Sequence, residues 1–407
     1  MHVALEYITL GFIAVTLVVS TLWSMQALVQ GVRVVESEQL YTVAERLVDK
    51  ILLTPGKPVN WGSDLTLEGE NITDFGLALA GVREPYLVDP DKVMRLVNYT
   101  WFENPAYLDP QRVAELLRLE GGYSRYGFIL EISPLYTLNA TPVSWDSETG
   151  IAESFRVKAV NYEGREVANV NVTGLLVVLY SEGGCGVGGS ERVNVGYAVL
   201  KDSCVTGIRG VCSLDYSDEL EDVKPLLPRN YNQVTYVLIL YGNWHGFAAT
   251  SHYSPGDSAL DVYLIGVYVI AEYSVESPPY GAILLKDEAL EALPDYSKLV
   301  EIQRVTVECV GDDPSDWTPA CRVLNKGAKR YQLYRLEYVE RLASHVILVG
   351  CRRGRLFAYV ASKYPVETFR YGLLEEVSAA NLVIMTRLVH MMGYSYVVRL
   401  YLWRWEE

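Results

Sequence analysis

The 407-residue sequence predicts an α+β protein, mostly β. It comprises a long N-terminal transmembrane and amphipathic helix, a small α/β unit and two β-rich, sandwich-like domains. Two observations predict this. Residues 8–29 (ITLGFIAVTLVVSTLWSMQALV) contain no charged side chain, and beyond residue 150 runs of β-branched and aromatic residues alternate with turn signals.

The first segment, 1–56, is a membrane helix continued outward. A helix over residues 8–29 rises about 30 Å, the thickness of a bilayer core. Leu40, Val43, Ala44, Leu47, Val48, Ile51 and Leu52 then recur at three- and four-residue spacings, an apolar stripe on one helix face. Glu36, Glu38, Glu45, Arg46, Asp49 and Lys50 fill the other face, and Pro55 and Gly56 stop the rod, which runs over about 3–53. The apolar load is confined to this rod, so a chain beginning near Trp61 is expected to be soluble and folded.

Segment 57–149 reads as a small α/β unit. Asp89-Pro90 and Asp109-Pro110 each set an N-cap Asp before a Pro at the first helical position, which predicts helices over about 90–98 and 110–119. YGFILEI at 126–132 reads as a strand. Segment 150–276 reads as a β-sandwich built from SFRVKAV, GLLVVLY, VNVGYAVL, TYVLILY and DVYLIGVYVIAEY. Ser277-Pro278-Pro279 mark a linker, and 277–407 form a second β-rich domain ending in a hairpin around Gly393.

The formal net charge of −15, with no basic stripe, excludes a nucleic-acid binder, because phosphate contacts need clustered Lys and Arg. Thirty Tyr against eight Phe suit half-exposed β faces. The six cysteines, Cys185, Cys204, Cys212, Cys309, Cys321 and Cys351, contain no C-x-x-C pair. They are read as disulfide candidates with fifteen pairings open; Cys309–Cys321 is the foremost local pairing and Cys204–Cys212 the other. Asn71, Asn98, Asn139 and Asn171 head Asn-x-Ser/Thr sequons, candidates for glycosylation in an exported chain.

His2-Val3-Ala4-Leu5-Glu6-Tyr7 followed by the apolar run resembles the start of archaeal type IV pilin-like proteins with class III signal sequences. The resemblance implies processing between Met1 and His2, which puts Glu6 at the fifth mature position with Tyr7 after it. It also implies an assembly role for Glu6 toward the amino terminus of a neighbouring, identical or related pilin-like subunit, through the N-terminal helices. The family's leader ends in basic residues, whereas Met1 alone precedes His2 here; a longer leader and an uncleaved anchor both stay open. LLTPGKPVNWG at 52–62 and FGLA at 75–78 are similar to large archaeal surface proteins of this type. The chain is longer than structural pilins, which points to a minor pilin, a tip adhesin or a lone anchored protein. FRVKAVNYEG at 155–164 with VANV at 167–170 resembles carboxypeptidase-regulatory-like immunoglobulin folds, a likeness of fold that brings no activity.

Catalytic signals are weak. Gly184-Cys185-Gly186-Val187-Gly188-Gly189 matches G-x-G-x-x-G, but a strand-like run follows where dinucleotide binding needs a helix. His245 and His252 near Asp257, Ser258 and Asp261 lack any hydrolase or metalloprotease context, and Asp312, Asp313 and Asp316 lack the spacing of a calcium loop. No catalytic, cofactor or metal residue is therefore assigned. The expected function is a non-enzymatic cell-surface protein in contact with membrane lipid, acting as a pilus-type subunit or adhesin. The alternative is a membrane-tethered extracellular enzyme acting on external polymers.

Overall fold

The computed structural model describes the backbone of residues 2–407 except 66, 68, 99–103, 120–125, 182–194, 229–230, 256–261, 273–280, 287–300, 306, 310–321, 327–328, 337–342, 353–354, 373–381 and 405–407. The helices are α1 (His2–Leu53), α2 (Pro90–Met94), α3 (Pro110–Leu116) and α4 (Ser217–Val223). The strands, in chain order, begin with β1 (Tyr126–Pro134), β2 (Tyr136–Trp145), β3 (Ala152–Asn161), β4 (Asn171–Ser181), β5 (Val195–Val205), β6 (Val211–Asp215), β7 (Val234–Trp244), β8 (Phe247–Tyr253), β9 (Val262–Ile265) and β10 (Tyr268–Glu272). They continue with β11 (Gly281–Lys286), β12 (Glu301–Val305), β13 (Val307–Cys309), β14 (Arg322–Lys326), β15 (Lys329–Leu336), β16 (Ala343–Arg352), β17 (Arg355–Ser362), β18 (Phe369–Gly372), β19 (Leu382–Met391) and β20 (Tyr394–Arg404).

One large sheet organises the molecule, in the order β18-β1-β20-β8-β7-β4-β5, with β19 also paired to β20. A three-stranded sheet, β2-β3-β6, covers one face of its far half. Leu138, Phe155, Val157 and Leu214 meet Val172, Leu176, Val178, Leu238 and Leu240 in that core. β3 alternates as one-sided burial requires: Phe155, Val157 and Ala159 point in, while Arg156 and Lys158 are exposed. The opposite face of β4 and β7 is covered by β16 and β17. Val177, Val237 and Ile239 there share a core with Ile347, Val349 and Leu356. GLLVVLY and YVLILY are continuous apolar runs because these two strands are the middle layer of three.

The segment boundaries read from the sequence need correction. A cut at 149/150 falls inside a hairpin: β2 pairs with β3, and Asp146 N–H donates to Ile151 O at 2.9 Å across the turn. β2 therefore belongs to the sandwich. β9 and β10 leave it for a sheet with β13 and β15. The boundary at 276/277 does not separate units either, because β1 pairs with β20 from Tyr126↔Arg404 to Pro134↔Tyr396. The small α/β unit and the C-terminal hairpin are thus one base. That hairpin turns at Met392 and Gly393, whose φ values of 50° and 96° give the two-residue turn that suits strand twist.

The two Asp caps act as their sequence implies: Asp89 accepts the Asp91 N–H at 3.1 Å and Asp109 the Gln111 N–H at 2.9 Å. Both helices are shorter than expected. α3 ends where Arg118 turns to φ 57°, and α2 ends at Arg95, whose side chain is drawn into the base.

Cys204 of β5 and Cys212 of β6 form a disulfide with a Cα–Cα distance of 5.9 Å, tying the edge of the large sheet to the small one. Cys185 and Cys321 lie outside the described residues, as do the side chains of Cys309 and Cys351, so the expected Cys309–Cys321 pairing falls there too. The Cys204 and Cys212 loop is short; removing its closure is worth about 2.5 kcal/mol in the chain-entropy picture. Cys204→Ser with Cys212→Ser is expected to lower urea stability by that amount. An unchanged midpoint would show that the two sheets hold each other without it.

Candidate functional site

Helix α1 is divided by its surroundings. Leu40, Ala44, Leu47, Val48, Ile51 and Leu52 are buried in one core with Met385 and Val389 of β19 and Val398, Leu400 and Leu402 of β20. Arg387 reaches Asp49 at 3.6 Å, Lys50 pairs with Asp74 at 3.0 Å, and Leu77 N–H donates to the Ile51 carbonyl at 2.7 Å. The C-terminal half of α1 is therefore fixed to the β-sheet by packing, with charge pairs at its margin.

In the N-terminal half the described side chains, those of residues 12 and 15–26, have no such cover. Phe12 is 74% exposed, Trp23 73% and Met25 68%, and Val15, Leu17, Val18, Val19 and Leu22 are exposed with them. The polar side chains in this stretch turn inward on the helix. Thr16 Oγ1 donates to Phe12 O at 2.6 Å, Thr21 to Val18 O at 2.8 Å, and Ser20 and Ser24 each to a preceding carbonyl at 2.9 Å. Water would satisfy those hydroxyls unaided. An apolar solvent would not, and there the back-bonding leaves no donor open. Among the described residues no helix is long and apolar enough to cross a membrane.

Of the processing and assembly residues, His2 opens α1, Glu6 and Tyr7 lie within it, and Met1 falls outside the described residues; the side chains of 2–11 are not described. All four sequon residues, Asn71, Asn98, Asn139 and Asn171, occupy exposed positions. Asn98 already uses its side-chain oxygen to accept the Asn104 N–H at 3.1 Å.

Of the catalytic candidates the structure describes His245 and His252, and these two lie apart. His245 sits exposed in the β7–β8 turn at φ 51°, against Trp244 at 5.6 Å. His252 is on β8 and faces the third layer, with its ring 5.6 Å from the buried His345 of β16. Asp257, Ser258, Asp261, Asp312, Asp313, Asp316 and the 184–189 glycine run lie outside the described residues. Among the described residues no three His, Cys, Asp or Glu side chains gather to hold a metal ion. The sequence does not single out His345. Its only signal was a histidine in an apolar strand, ASHVILVG, whose inward register the sequence does not reveal.

Burial pulls His252 down to about 4, and burial with the neighbouring His252 ring pulls His345 down as well. Each is neutral in the fold and charges more readily once unfolded. Stability is then full above the ordinary histidine value of about 6.5 and falls as pH drops through that value toward 4. His252 accounts for at most about 3 kcal/mol of that loss, since its side chain keeps some exposure. Chemical unfolding at pH 7 and pH 4 should show the difference, and His252→Gln should shrink it.

No protein-family model matches the chain, and no curated protein is similar to it.

Proposed function

We propose that this chain is a non-enzymatic surface protein, held at a membrane by the N-terminal half of α1, with the β-rich body outside. One observation carries the reading: α1 leaves its own core as a bare apolar rod whose hydroxyls are satisfied within the helix. The type IV pilin-like resemblance of residues 2–7 agrees with such a rod, and the free half of α1 is the element that neighbouring subunits would share. The sandwich of β2-β3-β6 on β5-β4-β7-β8 agrees with the immunoglobulin-like resemblance and is a module for presenting loops. Four exposed sequon residues suit an exported chain.

Flotation of the full chain with lipid vesicles tests the anchor. Wild type should float, and Val18→Lys with Leu22→Lys should not, because each lysine at mid-helix costs about 3 kcal/mol of insertion. A wild-type chain that stays at the bottom of the gradient refutes the anchor. Glu6→Ala then tests assembly: it should float as wild type does, yet disappear from filaments sheared off cells. If wild type is itself never found in sheared filaments, the adhesin role stands and the filament role falls.

A further inference from the structure

The third layer sits on the large sheet through side chains. Its own sheet, β12-β11-β16-β17, shares no strand pairing with the large sheet among the described residues. Ile347, Val349 and Leu356 lie instead against Leu175, Val177, Val237 and Ile239. Lifting β16 and β17 from β4 and β7 therefore breaks apolar packing and no described backbone ladder. Such a seam can open by itself while the strands on either side keep their hydrogen bonds.

Two histidines face each other across this seam. The rings of His252 on β8 and His345 on β16 are 5.6 Å apart between centroids, with their planes at 79°. His345 is fully buried, and Nδ1 of His252 is buried with no hydrogen-bond partner among the described residues. The surroundings supply no counter-charge. Tyr241 of β7, a neutral phenol, has its ring 6.4 Å from that of His345. Ser362 of β17 and Leu285 of β11 stand opposite His345 in register, and Ile239 of β7 stands opposite His252. None of those three titrates, and no described carboxylate bears on either ring. The other described histidines are elsewhere, His245 in the exposed β7–β8 turn and His390 on β19 in the base.

Protonating both rings would place two like charges side by side in an apolar seam. Each proton is therefore refused while the seam is closed and accepted once water reaches the rings. We propose that His252 and His345 form an acid-operated latch. As pH falls from about 6.5 toward 4 the third layer lifts, while the β2-β3-β6 layer stays packed on the large sheet. Lifting uncovers the apolar face of Val177, Val237 and Ile239. The sign follows from linkage: both rings are held neutral in the fold, so closure is full above the ordinary histidine value and weakens below it. This inference stands apart from the membrane reading, since the seam lies wholly within the body.

Hydrogen exchange of the full-length protein in detergent, read by mass spectrometry on peptides from each layer, tests the latch from about pH 6.5 to 4.5. Rates are converted to protection factors, which removes the pH dependence of exchange itself. Opening that takes up two protons should lower protection in β16 and β17 by up to about 100-fold per pH unit. His252→Gln leaves one proton to take up and should cut that slope to about tenfold per unit. Strands β2 and β3 should keep their protection over the same range. Equal losses in all three layers would mean global unfolding and overturn the latch. A wild-type slope in His252→Gln, or no loss in β16 and β17, would overturn it too. His345→Gln should match His252→Gln; should it fail to fold at pH 7, the wild-type and His252→Gln slopes decide alone.

Discussion

A chain shortened to begin at residue 38 is expected to keep its fold, and one shortened to begin at Trp61 is expected to lose the base. The difference is the packed half of α1. Leu40, Ala44, Leu47, Val48, Ile51 and Leu52 are each at most 7% exposed and fill the space over β19 and β20. Their burial is worth about 10 kcal/mol in total, comparable with the whole stability of an ordinary domain. Taking them away also uncovers Met385, Val389, Val398, Leu400 and Leu402. The shorter chain should therefore aggregate or give a weakened near-ultraviolet circular dichroism spectrum, while the longer one melts cooperatively. Equal melting of the two would mean that the helix rests on the sheet without supporting it. From the sequence alone Trp61 is a safe starting point, because the apolar stripe reads as part of the anchoring rod. Its burial against β19 and β20 makes it part of the body.

Arg95→Met is expected to cost about 3–5 kcal/mol, a large loss for a residue that a sequence would place on a surface. The guanidinium is buried. It donates to the carbonyls of Trp61 at 2.5 Å, Leu67 at 2.9 Å and Ala106 at 3.0 Å, and its carbon lies 5.9 Å from the Trp61 ring centroid. Three loop segments are thus gathered on one side chain, and methionine takes the donor from one buried and two half-buried carbonyls. Arg95→Lys should recover only part of the loss, since one ammonium cannot match a fork that spans three directions. Urea unfolding of the three proteins checks the order. A methionine variant as stable as wild type would show that water reaches those carbonyls.

The features legible in the sequence were those that a few neighbouring residues decide. The extent of α1 followed from an uncharged run, a stripe at helical spacing and Pro55-Gly56; the structure gives His2–Leu53. The starts of α2 and α3 followed from Asp-Pro pairs, and the last hairpin from a glycine between two β runs. For the candidate site, the apolar composition of residues 8–29 was equally plain, because composition needs no partner. What the sequence withheld depended on groups far apart in the chain. Only the fold shows that the stripe at 40–52 is covered while residues 12 and 15–26 are bare, since that turns on where β19 and β20 lie. The same holds for β1 joining β20 across more than half the chain, for Cys204 meeting Cys212 between two sheets, and for His252 facing His345. Helix periodicity, caps and tight turns arise from contacts within one or two turns of backbone. Sheet order and burial arise from the packing of whole layers, which no local window contains.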